Sequence, residues 1–326
     1  MKAKSFMKSV KTWRRPVVSS VLAGLVSTSL TYSANATQGP GLGNLTYSSS
    51  EAFTHVSSPL VDDSTNFLPP DYPGRKHYGV NVMTMLNGYM VGVFAPDSGG
   101  GPGGWIALDV SNPKAMQLVK TVYEPDLANL NRTGNGLRTA EFREPHSFGL
   151  GENNTIAIQT GKGIEIWDWS DVNNPIRLSK LAISGVNYGD YNNVSWQLFW
   201  QAPYLYVARG NAGISIVNTS DMSNPTLVKT VPNSELGGFN VGPIFALGNR
   251  MFISSMEGTA GFSILNIDDP VNPSLVKTVN RLPEKYYASC WDGKYAYFGA
   301  RSTSDSLRVY DTTTNPMQLV NETLTG

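Results

Sequence analysis

One strand-turn-strand plan recurs five times along the chain, and this repeat limits the possible folds more than any other feature. The copies span residues 105–122, 163–183, 213–231, 261–279 and 306–323. Each contains an Asn-Pro pair, and these pairs begin at residues 112, 174, 224, 272 and 315, which gives spacings of 62, 50, 48 and 43 residues. A period of about 40 to 50 residues is typical of the blades of a propeller.

Each copy reads as a β-hairpin. Apolar and polar residues alternate over about five positions, the chain turns at the Asn-Pro pair, and alternation resumes, as in Leu227-Val228-Lys229-Thr230-Val231. Proline fixes φ and has no N–H to donate, so it belongs in the turn and not in a strand ladder.

A second pair of apolar runs precedes each hairpin. These runs flank short turns at residues 86–88, 152–154, 201–203, 247–249 and 292–294. Two hairpins per period make a four-stranded antiparallel sheet, which buries both faces only when further sheets stack against it. We therefore predict an all-β fold, a β-propeller of four-stranded antiparallel blades with five repeat copies over residues 77–326, and almost no helix.

The repeat resembles that of the LVIVD-repeat propellers of bacteria, whose signature reads roughly G-L-x-I-V-D-V-S-D-P-x-N-P. The resemblance is clearest at residues 213–225 (GISIVNTSDMSNP) and 105–113, and it extends over residues 77–326. Asn218 and Asn266 stand where the signature has Asp, and Trp167 and Trp169 replace small or branched residues. The resemblance implies a propeller in an exported protein and assigns no catalytic residue, because the family has no agreed catalytic motif.

Residues 1–36 have the three parts of a signal peptide in the usual order. A basic start is followed by an apolar run of about 15 residues and then by Ser33-Ala34-Asn35-Ala36, an A-x-A cleavage pattern. The alternative is a membrane anchor, but serines interrupt the run, and a span usually needs about 20 apolar residues. We expect cleavage after Ala36 and an exported protein (periplasmic, cell-surface or secreted) with no membrane span after cleavage.

Charge and cysteine content exclude some classes of partner and site. Removal of residues 1–36 leaves 19 Lys and Arg against 25 Asp and Glu, a net charge of −6, which disfavours a nucleic-acid partner. Cys290 is the single cysteine, so neither an intramolecular disulfide nor a cysteine-based metal site can form. We expect Cys290 to be a small buried residue in a strand.

Residues 37–76 are rich in Ser, Gly and Pro and carry no repeat signature, so they are predicted to form an extended lead-in. The chain stops at Gly326, directly after the last predicted strand. A closed ring of five blades and the first five blades of a larger propeller are both compatible with this pattern.

Ligands of propellers usually meet the face formed by the connections between blades and by the middle loop of each blade. The connection at residues 123–145 is the longest of these segments and is rich in charged residues. Guanidinium groups bind oxyanions bidentately, and aromatic rings stack on sugars. The candidate ligand-binding residues are Arg138, Arg143, His146, Trp196, Arg209, Tyr287 and Arg301.

These residues favour a non-catalytic binding module for a protein or an acidic glycan at the mouth of the channel. The alternatives without a binding role are that the charged residues are solvated loop charges and that Trp196 packs between blades. A second hypothesis is an enzyme that acts on a polysaccharide or small molecule at the same face, with Glu141, Glu144 or His146 as acid or base. No catalytic residue, metal or cofactor is assigned. A third hypothesis is a metal-dependent propeller, which would have to bring His55, His77 and His146 together.

The signal-peptide prediction is open to a direct test. Because cleavage is expected after Ala36, the exported protein should begin at Thr37. Intact-mass measurement of the exported form checks this, and a mass that corresponds to a start before Thr37 would contradict it.

Overall fold

The structure is a computed structural model and describes residues 80–94, 104–123, 146–186, 193–194, 196–279, 282–283, 286, 288–299 and 306–324. These residues form twenty strands in five antiparallel sheets, and each sheet contains four strands that are consecutive in sequence. We call the sheets blades 1 to 5 in chain order. In the described residues, α1 (Asn233–Leu236) is the only helix. The predicted propeller of four-stranded antiparallel blades is confirmed.

The strand bounds are as follows. Blade 1 has β1 (Val80–Leu86), β2 (Tyr89–Phe94), β3 (Gly104–Asp109) and β4 (Gln117–Tyr123), and blade 2 has β5 (Phe148–Leu150), β6 (Thr155–Thr160), β7 (Gly163–Asp168) and β8 (Ile176–Ala182). Blade 3 has β9 (Leu198–Gln201), β10 (Tyr204–Ala208), β11 (Ile214–Asn218) and β12 (Thr226–Val231). Blade 4 has β13 (Val241–Leu247), β14 (Arg250–Ser255), β15 (Phe262–Asn266) and β16 (Ser274–Val279), and blade 5 has β17 (Ser289–Trp291), β18 (Tyr295–Phe298), β19 (Ser306–Asp311) and β20 (Gln318–Leu324).

The first strands of blades 2 to 5 lie on the inside of the fold. In consecutive blades the first strands lie side by side, with β5 against β9, β9 against β13 and β13 against β17. The two middle strands of blade 2 are almost wholly buried, whereas its fourth strand is mostly exposed. The core therefore lies in the wedges, by which we mean the spaces between the facing sheets of consecutive blades.

The turn between the third and fourth strands has the same side-chain hydrogen bond in every blade. A side-chain Oδ1 accepts a bond from the backbone N–H two residues later, at 2.8 Å in each case. The acceptors are Asp109, Asp168, Asn218, Asn266 and Asp311. Because this turn needs only an oxygen acceptor, Asn serves as well as Asp. The departures of Asn218 and Asn266 from the repeat signature therefore leave the turn intact.

Glycine begins the third strand, or immediately precedes it, in blades 1 to 4. A Cβ atom at Gly163 would overlap the carbonyl oxygen of Leu181, and one at Gly213 would overlap that of Val231. Since both oxygens belong to the neighbouring fourth strand, glycine allows the two strands to pair at this point.

The wedge between blades 1 and 2 is filled by aromatic side chains. Trp105 is fully buried and stacks on Phe148 with ring centroids 5.5 Å apart. It also contacts Trp167 at 5.8 Å and Trp169 at 5.7 Å. The two tryptophans that depart from the repeat signature therefore fill this wedge.

Lysines of the fourth strands join blades 3, 4 and 5. Lys229 Nζ donates to Oδ1 of Asn272 in the next blade, at 3.0 Å. Lys277 Nζ donates to three consecutive carbonyl oxygens of the turn of blade 5, at 3.0 Å from Thr312, 2.8 Å from Thr313 and 2.9 Å from Thr314. The ammonium of Lys277 thus holds a whole turn of the following blade.

Lys277 donates three hydrogen bonds and Lys229 donates one, so their replacement should lower the free energy of unfolding by different amounts. Replacement of Lys277 by Met should lower the free energy of unfolding by roughly 1–2 kcal/mol, because charge-assisted bonds to partly buried carbonyls are lost. The matched control Lys229→Met loses one bond to an exposed amide and should cost less than half as much. Urea unfolding of the parent and the two variants measures both changes. Equal effects for the two variants would contradict this account of the junction.

Candidate functional site

Three of the seven predicted ligand-binding residues, His146, Trp196 and Arg209, lie in the described part of the chain. The other four lie outside the described residues, namely Arg138, Arg143, Tyr287 and Arg301. Most of the long connection, residues 124–145, also lies outside, together with Glu141, Glu144, His55 and His77. That this connection contributes to the ligand-binding face therefore stays a prediction.

His146 and Trp196 occupy equivalent places just before the first strands of blades 2 and 3. Their ring centroids are 5.0 Å apart, and the planes are tilted by 50°. Trp196 is only 1% exposed and belongs to the core between blades 3 and 4. His146 is half-buried and packs against it. The indole thus packs between blades, which is the alternative that the sequence left open for Trp196.

Arg209 follows β10 directly, at the end of the propeller where the blade-to-blade connections lie. We call this end the connection face. The side chain of Arg209 is only 3% exposed, so it is not the solvated loop charge that the sequence also allowed. Its Nη1 donates to Oγ of Ser215 at 3.2 Å, and that oxygen lies 3.0 Å from Oγ1 of Thr230.

The guanidinium of Arg209 has no anionic partner among the described residues. No described carboxylate forms an ion pair with it, and its buried Nε has no hydrogen-bond partner. Burial lowers the pKa of Arg209 from its usual value, and no nearby acid offsets that effect. A buried charge is costly unless it is paired and hydrogen-bonded, so this arrangement needs an explanation.

The direction of the Arg209 side chain follows from the strand alternation. Leu205 and Val207 of β10 pack in the core shared with blade 2, and Arg209 comes next on the same face. Ser215, which anchors it, is the cross-strand partner of Val207. Arg209 therefore points into the wedge between blades 2 and 3.

Blade 2 contributes two further buried polar side chains to this wedge. Gln159 is fully buried, and neither Oε1 nor Nε2 has a partner in the described structure. Ser179 has a buried Oγ that is likewise unpartnered. Their cross-strand neighbours Ile164 and Ile166 pack in the core shared with blade 3, so Gln159 and Ser179 face Arg209's blade. We call Gln159, Ser179, Arg209 and Ser215 the polar wedge.

Alignment of the blades by strand register shows that the fold does not require these side chains. The positions equivalent to Gln159 hold Val93, Ala208 and Ser254 in blades 1, 3 and 4. In blades 2 and 4, Thr160 and Ser255 occupy the position of Arg209. The sequence analysis singled out Arg209 as a loop cation but missed Gln159. An alignment of the second strands of the blades would have shown Gln159 as a long amide side chain at a position where the other blades have small or apolar residues.

Other classes of site find less support in the described residues. They contain no group of three or more His, Cys, Asp and Glu side chains close enough to hold a metal ion. Of the helices within them, none has the length and apolarity to cross a membrane. The expectation that Cys290 is buried was wrong. It does lie in a strand, β17, but its neighbour Trp291 packs into the core, and Cys290 points to the other, exposed side.

Comparisons with solved structures support the fold. The chain is similar to a functionally unknown protein from Desulfotomaculum acetoxidans DSM 771, with 14% identity, a TM-score of 0.52, and coverage of 78% of this chain and 73% of that chain. It is also similar to a candidate 6-phosphogluconolactonase from Bacteroides fragilis NCTC 9343, with 14% identity, a TM-score of 0.52, and coverage of 75% of this chain and 70% of that chain. A second candidate 6-phosphogluconolactonase, from Bacteroides uniformis ATCC 8492, has 12% identity, a TM-score of 0.50, and coverage of 73% of this chain and 69% of that chain. Likeness at this identity shows the fold alone.

The sequence comparisons point to one repeat family. The family described as LVIVD repeat matches residues 202–232, which contain the last three strands of blade 3. The comparison with curated protein sequences gives no match. The same turn bond and strand order recur in all five blades. The chain therefore contains an LVIVD repeat at residues 202–232 and folds as a propeller of four-stranded antiparallel blades.

Proposed function

We propose that this protein is an exported binding module of the cell envelope or surface, and that it takes an acidic ligand at the connection face. The ligand is an acidic glycan or an acidic segment of a protein. The observation that carries the proposal is Arg209, a buried guanidinium that no carboxylate of the described residues neutralises. Export remains an expectation from residues 1–36.

Physical chemistry supports an anionic ligand over a purely structural role for Arg209. An arginine kept only for packing could be replaced by an apolar side chain of similar volume, often at no cost to stability. The equivalent positions in blades 1, 2 and 4 hold the uncharged residues Phe94, Thr160 and Ser255, so the fold does not depend on a cation there. A bound anion supplies the missing charge partner and the missing hydrogen-bond acceptors.

The expected net charge of the mature chain makes the proposal easier to test. At −6, the overall field repels polyanions, so binding of an acidic polymer requires a local cationic site and not general attraction. The partly buried His146 lies at the same face and extends the surface available to a ligand.

An alternative proposal keeps the same face but adds catalysis on a polysaccharide or small molecule. Of the acid or base candidates named from the sequence, Glu141, Glu144 and His146, only His146 lies in the described residues. Turnover of a bound polymer that is lost in His146→Ala, while binding is kept, would favour this alternative.

The test uses the mature protein with polygalacturonate as the acidic polymer and dextran as the neutral one. We expect binding to polygalacturonate only, and a loss of at least tenfold in affinity for Arg209→Met, because the charge partner is removed. Arg250→Met is the matched control. Arg250 begins β14 at the opposite end of a blade, and it is held there by a bond to the carbonyl of Asn249.

The results separate the alternatives. Equal loss of affinity in both variants would mean that binding follows net charge rather than the connection face. Absence of binding to polygalacturonate would overturn the acidic-glycan form of the proposal.

A further inference from the structure

We propose that the polar wedge between blades 2 and 3 is a binding site for one carboxylate group with a neighbouring hydroxyl, as in a uronic acid or a small α-hydroxy acid. This inference rests on the proposed function for its location, and it adds the chemical class of the group that is recognised. It is carried by the placement of Arg209, Gln159 and Ser215 on the facing sheets of one wedge, whereas the equivalents of Arg209 (Phe94, Thr160 and Ser255) and of Gln159 (Val93, Ala208 and Ser254) are neither charged nor amides.

The free edge of the guanidinium has the geometry of a carboxylate fork. Ser215 accepts from Nη1 and fixes the plane of the guanidinium. The opposite edge, formed by Nε and Nη2, presents two parallel N–H groups, and the buried Nε has no partner. A planar carboxylate accepts two parallel bonds from this edge.

The connection between blades 2 and 3 brings a glycine close to that edge. Gly185 has a positive φ of 81°, and a Cβ atom there would lie 3.3 Å from Nη2 of Arg209. A larger residue would crowd the place where a carboxylate oxygen has to sit. Arg209 is 3% exposed, so a ligand has to reach it with one small group, such as the carboxylate of a single sugar unit of a polymer.

Gln159 supplies the specificity for a hydroxyl. Its buried amide offers an acceptor, Oε1, and a donor, Nε2, and neither is used by the described protein. A hydroxyl both donates and accepts, so it satisfies both amide atoms, whereas acetate and chloride leave them unpaired. Leaving a buried polar group unpaired is costly, and this penalty discriminates between hydroxylated and plain carboxylates.

The strand register directs Glu165, a buried acid of blade 2, away from the wedge that holds Arg209. Glu165 is fully buried but is the cross-strand partner of Ile158, which packs in the wedge with blade 1. It accepts a bond from Trp167 Nε1 at 2.9 Å and pairs with Arg177 at 3.5 Å. Glu165 therefore serves a different wedge.

Thermal unfolding of the mature protein with small anions tests the inference. At equal ionic strength and saturating concentration, galacturonate and glycolate should raise the unfolding midpoint by about 3 °C over chloride, and acetate by less. Phosphate is included as a second oxyanion. Stabilisation by phosphate equal to that by glycolate would overturn the specificity for a hydroxycarboxylate.

Gln159→Leu separates a binding role from a structural one. Leucine fills the space without leaving polar atoms unpaired, so the ligand-free variant should unfold at a midpoint equal to that of the parent or about 2 °C above it, while the shift with galacturonate is lost. Arg209→Lys keeps the charge but not the fork and should lose most of the shift. The control Gln201→Leu removes an exposed glutamine at the opposite end of blade 3, bonded to Gly248, and should keep the full shift.

The outcomes also separate this inference from the proposed function. If galacturonate gives no shift beyond chloride, or if Gln159→Leu keeps the parent's shift, the site is not in the polar wedge, even when polygalacturonate binding persists. If the monomer binds in the wedge but the polymer does not bind the protein, the inference stands and the acidic-glycan module fails.

Discussion

Each four-stranded sheet has two apolar faces, and both can be covered only by a neighbouring sheet on each side. The wedge between consecutive blades is therefore the unit on which this fold depends. Trp105 with its aromatic neighbours fills the wedge between blades 1 and 2, and a core around Phe252, Phe262 and Phe298 fills that between blades 4 and 5. The turns and lysine bonds of the outer strands act around these cores.

The wedge between blades 2 and 3 departs from this rule at one end. Its inner part is apolar, with Leu205 and Val207 facing Ala157, but it closes on Arg209 and Gln159 near the connection face. Buried polar groups in native proteins are nearly always hydrogen-bonded. Among the described residues Arg209 has no anionic partner and the amide of Gln159 has no hydrogen bond, so both mark a place where stability has been given up. The ligand recognition that we propose at that end would explain why the departure is tolerated.

Local sequence signals were enough to predict the architecture. Period-two alternation, the Asn-Pro pairs and the Asx turns involve residues a few positions apart, so five copies could be read without knowledge of the packing. Packing between blades is non-local, and there the sequence was less informative. Trp196 was left open between ligand and core, Cys290 was wrongly expected to be buried, and Gln159 looked like any polar residue of an alternating strand.

The proposed recognition at the polar wedge depends most on Arg209, which no carboxylate of the described residues neutralises. The most direct measurement is a crystal structure of the mature protein grown with galacturonate, at a resolution that shows ordered solvent. We predict density for a carboxylate bound through Nε and Nη2 of Arg209, with its neighbouring hydroxyl on the amide of Gln159. A carboxylate of the chain itself bound to that edge of the guanidinium would contradict the account.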